Sequence, residues 1–106
     1  MSEFQKIKLS QSTEEDLIRL REFLYHQTKS PQILNRFDTE IFNALKEINE
    51  TPQAYPYVFE GADVRKKVKW RYLLFYIEYK EPELILVTHV YHQNEDWLAS
   101  LEEELL

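Results

Sequence analysis

Residues 64–91 read VRKKVKWRYLLFYIEYKEPELILVTHVY. β-Branched and aromatic residues crowd Val64 to Val68, Arg71 to Tyr79 and Leu84 to Tyr91, a composition that suits pleated, half-buried backbone. Three strands are predicted there. Lys80-Glu81-Pro82-Glu83 separates the last two by the length of a hairpin turn, with Pro82 restricting the turn type, so those two strands pair antiparallel.

Upstream the period changes from two to between three and four. Leu34, Phe37, Ile41, Leu45 and Ile48 recur at helical spacing, and Ser30-Pro31 is a helix-start signal because proline lacks the N–H that a first turn leaves unpaired. This predicts a helix to about Glu50, stopped by Thr51-Pro52. Leu17, Leu20 and Leu24 mark an earlier amphipathic helix ending near Gln27, with Ser12 or Thr13 opening a capping box toward Glu15 or Asp16. The two helices form a hairpin. Pro56 and Gly61, the only glycine, mark the loop that follows. Phe4 to Leu9 alternates in polarity as a short edge strand, and Asn94 is placed to cap a short last helix holding Trp97, Leu98 and Leu101. The fold class is therefore α+β in the order β-α-α-β-β-β. A helical hairpin packs on a small, twisted, mainly antiparallel sheet, and a short C-terminal helix follows.

The 106 residues suit one domain, taken as 1–106, and 43% hydrophobic content supplies its core. No cysteine is present, which excludes disulfides and thiolate zinc sites. No apolar run approaches the roughly 20 residues that span a bilayer, and Met1 to Lys8 is too polar for a signal peptide. The chain is read as cytoplasmic, with no membrane partner. Its net charge of −6 is unevenly spread: −3 over residues 1–62, +4 over 63–80 and −7 over 81–106. A basic centre before an acidic tail suits a local anion-binding surface, or one that an acidic segment covers; a solvated strand pair beside a solvated helix gives the same pattern.

Within this order several stretches match one family. Ser12 to Leu24, with Asp16-Leu17, resembles the opening helix of the RelE/ParE superfamily of toxins from type II toxin–antitoxin systems. Pro52-Gln53-Ala54-Tyr55-Pro56 resembles its Pro-x-x-Tyr-Pro turn, and Val64 to Val68 its basic strand. Trp70 to Tyr76 resembles its aromatic strand, with Trp70 and Arg71 in place of Phe and Pro. Ile85 to His89 resembles its closing strand, with Trp97 eight residues after the histidine. Shared order over residues 4–98 carries the resemblance, which is nearest to the ParE-like plasmid-stabilisation branch. Relatives often carry arginines two and three residues after that histidine and proline at five; here stand Tyr91, His92 and Asn94, so two preorganised anion donors are gone.

The resemblance implies a growth-inhibiting toxin, a cognate antitoxin as partner in a hetero-oligomer, and one of two targets. ParE-like poisoning of DNA gyrase, without enzymatic action, is favoured, with residues 92–106 as contact. The alternative is ribosome-dependent cleavage of messenger RNA, which needs groups to move protons and steady phosphorane charge. Candidates for that chemistry are Arg65, Lys67, His89, Tyr91 and His92. Arg65, Lys67 and Lys69 share one strand face and His89 and Tyr91 share another, so the two sets are expected to meet if the register allows. For target binding the candidates are Arg65, Lys67, Lys69, Arg71 and Trp97. An inactive toxin fold serving as a protein-binding module is the third reading. Phe23, Tyr25 and Phe42 flank the helical core stripes and suit a partner helix, although a wide core face gives the same pattern. Trp70, Tyr72 and Tyr76 are read as packing rather than base-stacking residues. His89 and His92 face opposite sides of a strand with no third ligand, so no metal is expected. One glycine cannot build a phosphate-cradling loop, so no nucleotide cofactor is expected either.

Overall fold

The computed structural model describes residues 6–105; Phe4 and Gln5, part of the expected first strand, lie outside them. The elements run β1 (Ile7–Leu9), α1 (Gln11–Thr28), α2 (Pro31–Glu50), β2 (Val64–Lys69), β3 (Tyr72–Lys80), β4 (Glu83–His92) and α3 (Trp97–Leu105), with a 3₁₀ turn at Pro52–Ala54. The α+β order expected from the sequence is present. The sheet order is β1-β4-β3-β2, with β1 parallel to β4 at one edge and the other two pairings antiparallel.

β3 organises the packing. Tyr72 to Tyr76 are five consecutive buried residues. Alternate side chains point to opposite faces, so such a run needs cover on both sides of the sheet. On one side Tyr72, Leu74 and Tyr76 meet the helical hairpin through Leu20, Leu24, Phe37, Ile41 and Ile48. On the other side Leu73 and Phe75 meet a smaller core with Val64, Tyr91 and Leu101 of α3.

Local signals start the helices, but tertiary contacts choose among them. Ser30 caps α2 with Pro31 in its first turn, as expected. For α1 the cap is Ser10, in place of Ser12 or Thr13: its Oγ accepts the Thr13 N–H at 3.0 Å and donates to the Thr88 carbonyl at 3.0 Å. The helix thus begins where β1 leaves the sheet. Asn94 does not cap α3; the Asp96 carboxylate accepts the Ala99 N–H, while the Asn94 N–H donates to His92 Nδ1.

Among the described residues no strand lies beside the edge of β4 beyond Leu9, and α1 supplies partners there. Thr13, fully buried, donates from Oγ1 to the Val87 carbonyl at 2.7 Å, and Asp16 Oδ2 accepts the Val90 N–H at 3.0 Å. A bulge at this point shifts the pairing: Phe75 opposes His89 while Tyr76 opposes Val87, leaving Thr88 between.

Leu74→Ala, which opens a cavity against the hairpin, is expected to cost about 2–5 kcal/mol in chemical denaturation. Val68→Ala, at a site 54% exposed, is expected to stay within about 0.5 kcal/mol of the parent.

Candidate functional site

The basic strand β2 carries the sequence's main concentration of positive charge. Arg65, Lys67 and Lys69 oppose Tyr76, Leu74 and Tyr72, so they project to the hairpin side of the sheet. There Glu47 of α2 receives two ammonium groups, Lys67 Nζ on Oε1 at 2.8 Å and Lys69 Nζ on Oε2 at 2.6 Å. Hydrogen bonds from Lys67 and Lys69 hold the Glu47 carboxyl below the usual glutamate range. Burial opposes the charge on Lys67, but contact with Glu47 and Tyr55 outweighs it and holds the ammonium above the ordinary lysine value. Arg65 donates to the Tyr55 carbonyl at 2.6 Å and to the Tyr57 hydroxyl at 2.9 Å, with its guanidinium 4.0 Å from the Tyr57 ring centre.

His89 and Tyr91 oppose Phe75 and Leu73 and therefore project to the other face. The expectation that they meet Arg65 and Lys67 over one side of the sheet is overturned: the register sets the two groups on opposite faces. At the sheet edge His89 lies between two carboxylates, with Nδ1 3.1 Å from Asp16 Oδ2 and Nε2 2.7 Å from Glu104 Oε2. Its ring stacks on Tyr91 at 5.4 Å. Tyr91 is buried, and its phenol is pushed up first by that burial and then by Asp16 and Glu104, further from neutrality.

His92 returns to the hairpin side, edge-on to Tyr72 at 5.4 Å. Arg71 occupies the β2–β3 turn, 4.7 Å from the Trp70 ring centre, which also has Arg36 at 4.6 Å. Trp97 packs on the outer face, 5.4 Å from Phe75, with Lys66 Nζ 4.8 Å from its ring centre. The target-binding candidates are thus distributed: Arg65, Lys67 and Lys69 beside the hairpin, Arg71 at a turn, Trp97 at the start of α3. The hairpin keeps apolar side chains outside, with Ile18 and Phe23 each 62% exposed and Tyr25 and Phe42 nearly half exposed.

Sequence reasoning missed Glu47, Asp16 and Glu104 as the acids that occupy these cations and His89. A signal existed for Glu47 alone. It adjoins Ile48 on the core stripe of a helix expected to pack on a lysine-rich strand, where an acid is a natural partner.

The family model described as "ParE toxin of type II toxin-antitoxin system, parDE" matches residues 7–97. None of the curated proteins matches the sequence. Among solved structures, a chain of the chromosomal ParDE toxin–antitoxin system from P. aeruginosa superposes with a TM-score of 0.67 at 15% identity, covering 86% of this chain and 98% of that one. A chain of the toxin–antitoxin complex RelBE2 from Mycobacterium tuberculosis superposes with a TM-score of 0.57 at 19% identity, covering 82% of this chain and 95% of that one. At such identities the likeness is one of fold.

Because the folded carboxyl of Glu47 titrates below its unfolded value, its contribution to stability is present above the ordinary glutamate range and lost as pH falls through the folded value. Lys67 behaves oppositely: its contribution is present below the ordinary lysine range and lost as pH rises through the folded value. In urea titrations from about pH 7 to about pH 3, the stability gap between the parent and Glu47→Gln should be widest near neutrality and close with acid. A gap that does not change with pH contradicts the assignment.

Proposed function

The chain belongs to the ParE toxin family of type II toxin–antitoxin systems, and on that premise we propose that it inhibits growth by binding DNA gyrase rather than by cutting messenger RNA. One observation carries the choice: the cations that cleavage would require are each already engaged within the chain, His89 lies on the opposite face of the sheet from them, and His92, on their face, is set apart from Lys69 by Tyr72. Cleavage at a phosphodiester needs a base, an acid and a stabiliser of phosphorane charge converging on one bond. Here Lys67 and Lys69 converge on Glu47, Arg65 on Tyr55 and Tyr57, and His89 on Asp16 and Glu104. Inhibition by binding asks only for a complementary surface.

The proposed contact with gyrase is the C-terminal element, residues 92–106. Within α3, Leu101 is buried against Phe75 and Tyr91, which fixes the helix, while Leu98 is 42% exposed. A cognate antitoxin is the expected partner, and the apolar outer face of the hairpin suits a helical segment of it.

Purified toxin added to gyrase and relaxed plasmid should abolish supercoiling and leave messenger RNA on programmed ribosomes intact. Leu98→Asp, which leaves Leu101 seated, should weaken gyrase inhibition by about tenfold. Cut messenger RNA beside unaffected supercoiling would reverse the choice of target.

A further inference from the structure

A groove of about 590 Å³ lies between α1 and the neighbouring ends of β3 and β4. We propose that it is the anchoring site for a segment of the antitoxin in which a carboxylate side chain adjoins an aliphatic one. The inference rests on the toxin–antitoxin reading above, but not on gyrase as the target.

One wall is apolar, formed by Leu20, Phe23 and Leu24 of α1. Phe23 is mostly exposed, so part of this wall faces solvent. The opposite side carries two donor groups without acceptors. Arg71 lines the groove and makes no ion pair among the described residues; its recorded partner is the Trp70 ring. His92 accepts the Asn94 N–H on Nδ1 at 3.0 Å. In the neutral ring this leaves Nε2 as the proton-bearing nitrogen, and it has no partner among the described residues.

The turn that places Arg71 is itself unusual. Lys69 pairs with Tyr72, so Trp70 and Arg71 form a two-residue hairpin loop, and Trp70 has φ 57°. A positive φ at the first loop position ordinarily belongs to glycine. The indole sits with Arg36 and Arg71 against it, and this packing holds a bulky residue in the left-handed region with Arg71 beside the groove.

Charge selects the occupant. Arg19 and Arg71 against Glu95 leave one net positive charge on the lining, and Arg19 is already paired with Glu95 at 3.1 Å and Asp16 at 3.6 Å. A nucleic acid brings a phosphate at every nucleotide and binds where several cations are free; a single unpaired guanidinium beside a glutamate does not meet that need. One carboxylate does fit: it can accept a forked pair of bonds from Arg71 and a third from His92 Nε2–H. Its aliphatic neighbour would cover Phe23, beside which Leu20 and Leu24 are already buried.

The test uses ¹⁵N-labelled toxin made by cell-free synthesis and three probes: acetyl-Leu-Glu-Leu-amide, its Gln counterpart, and a single-stranded oligouridylate. The Glu peptide should shift the amides of Leu20, Phe23 and Asn94 saturably. Binding should be about tenfold weaker with the Gln peptide, and likewise about tenfold weaker than the parent pair for the Glu peptide on Arg71→Gln toxin. The Gln peptide on unaltered toxin keeps the comparison sound if Arg71→Gln disturbs the turn. In the complex co-expressed with its antitoxin, the same amides should be protected from exchange. Equal binding of both peptides, no saturable shift in the groove, tighter binding of the oligonucleotide there, or protection confined to the outer hairpin face would each overturn the proposal. Gyrase inhibition by the same preparation reports separately on the target.

Discussion

Burial of β3 on both of its faces is the constraint on which the rest of the structure depends. Five successive buried residues from Tyr72 to Tyr76 cannot be satisfied by a helical hairpin alone, because alternate side chains point away from it. The hairpin therefore covers Tyr72, Leu74 and Tyr76, while α3 returns across the sheet to cover Phe75 through Leu101 and Trp97. The acidic C-terminal segment is drawn onto the sheet in this way, and Glu104 reaches His89 as a consequence.

The same two-sided arrangement decides what the charged residues can do. β2 pairs with β3, so its alternating cations are divided between the faces: Lys67 and Lys69 toward α2 and Glu47, Lys66 toward Trp97. Charges near a hydrophobic core are retained when they are paired and hydrogen-bonded. The pairing that makes them tolerable there also withdraws them from any external phosphate. Apolar side chains face outward on the hairpin and at Leu98, and Arg71 stands at one turn. A surface of that kind favours protein partners over polyanions.

Much of the fold was legible because the period of the sequence changes cleanly, from the α2 stripe Leu34-Phe37-Ile41-Ile48 to the aromatic run of β3. Ser30-Pro31 read correctly because both cap signals are local. Ser10 escaped notice because its role depends on the carbonyl of Thr88, 78 residues away. Asp96 replaced Asn94 because the helix begins only at Trp97, after Asn94 has been taken up in a turn with His92. The candidate site was harder still. Residue types at Arg65, Lys67, His89 and Tyr91 were visible, but which faces they share follows from strand register, and the bulge at Thr88 cannot be read from one strand's sequence.

The proposed inhibition by binding follows from would-be catalytic cations consumed in holding the sheet together. Induced expression in a bacterial host, with DNA and protein synthesis followed separately by labelled precursors, tests it most directly. DNA synthesis should fail first, with filamentation, while protein synthesis continues. An early arrest of protein synthesis with DNA synthesis intact would contradict it.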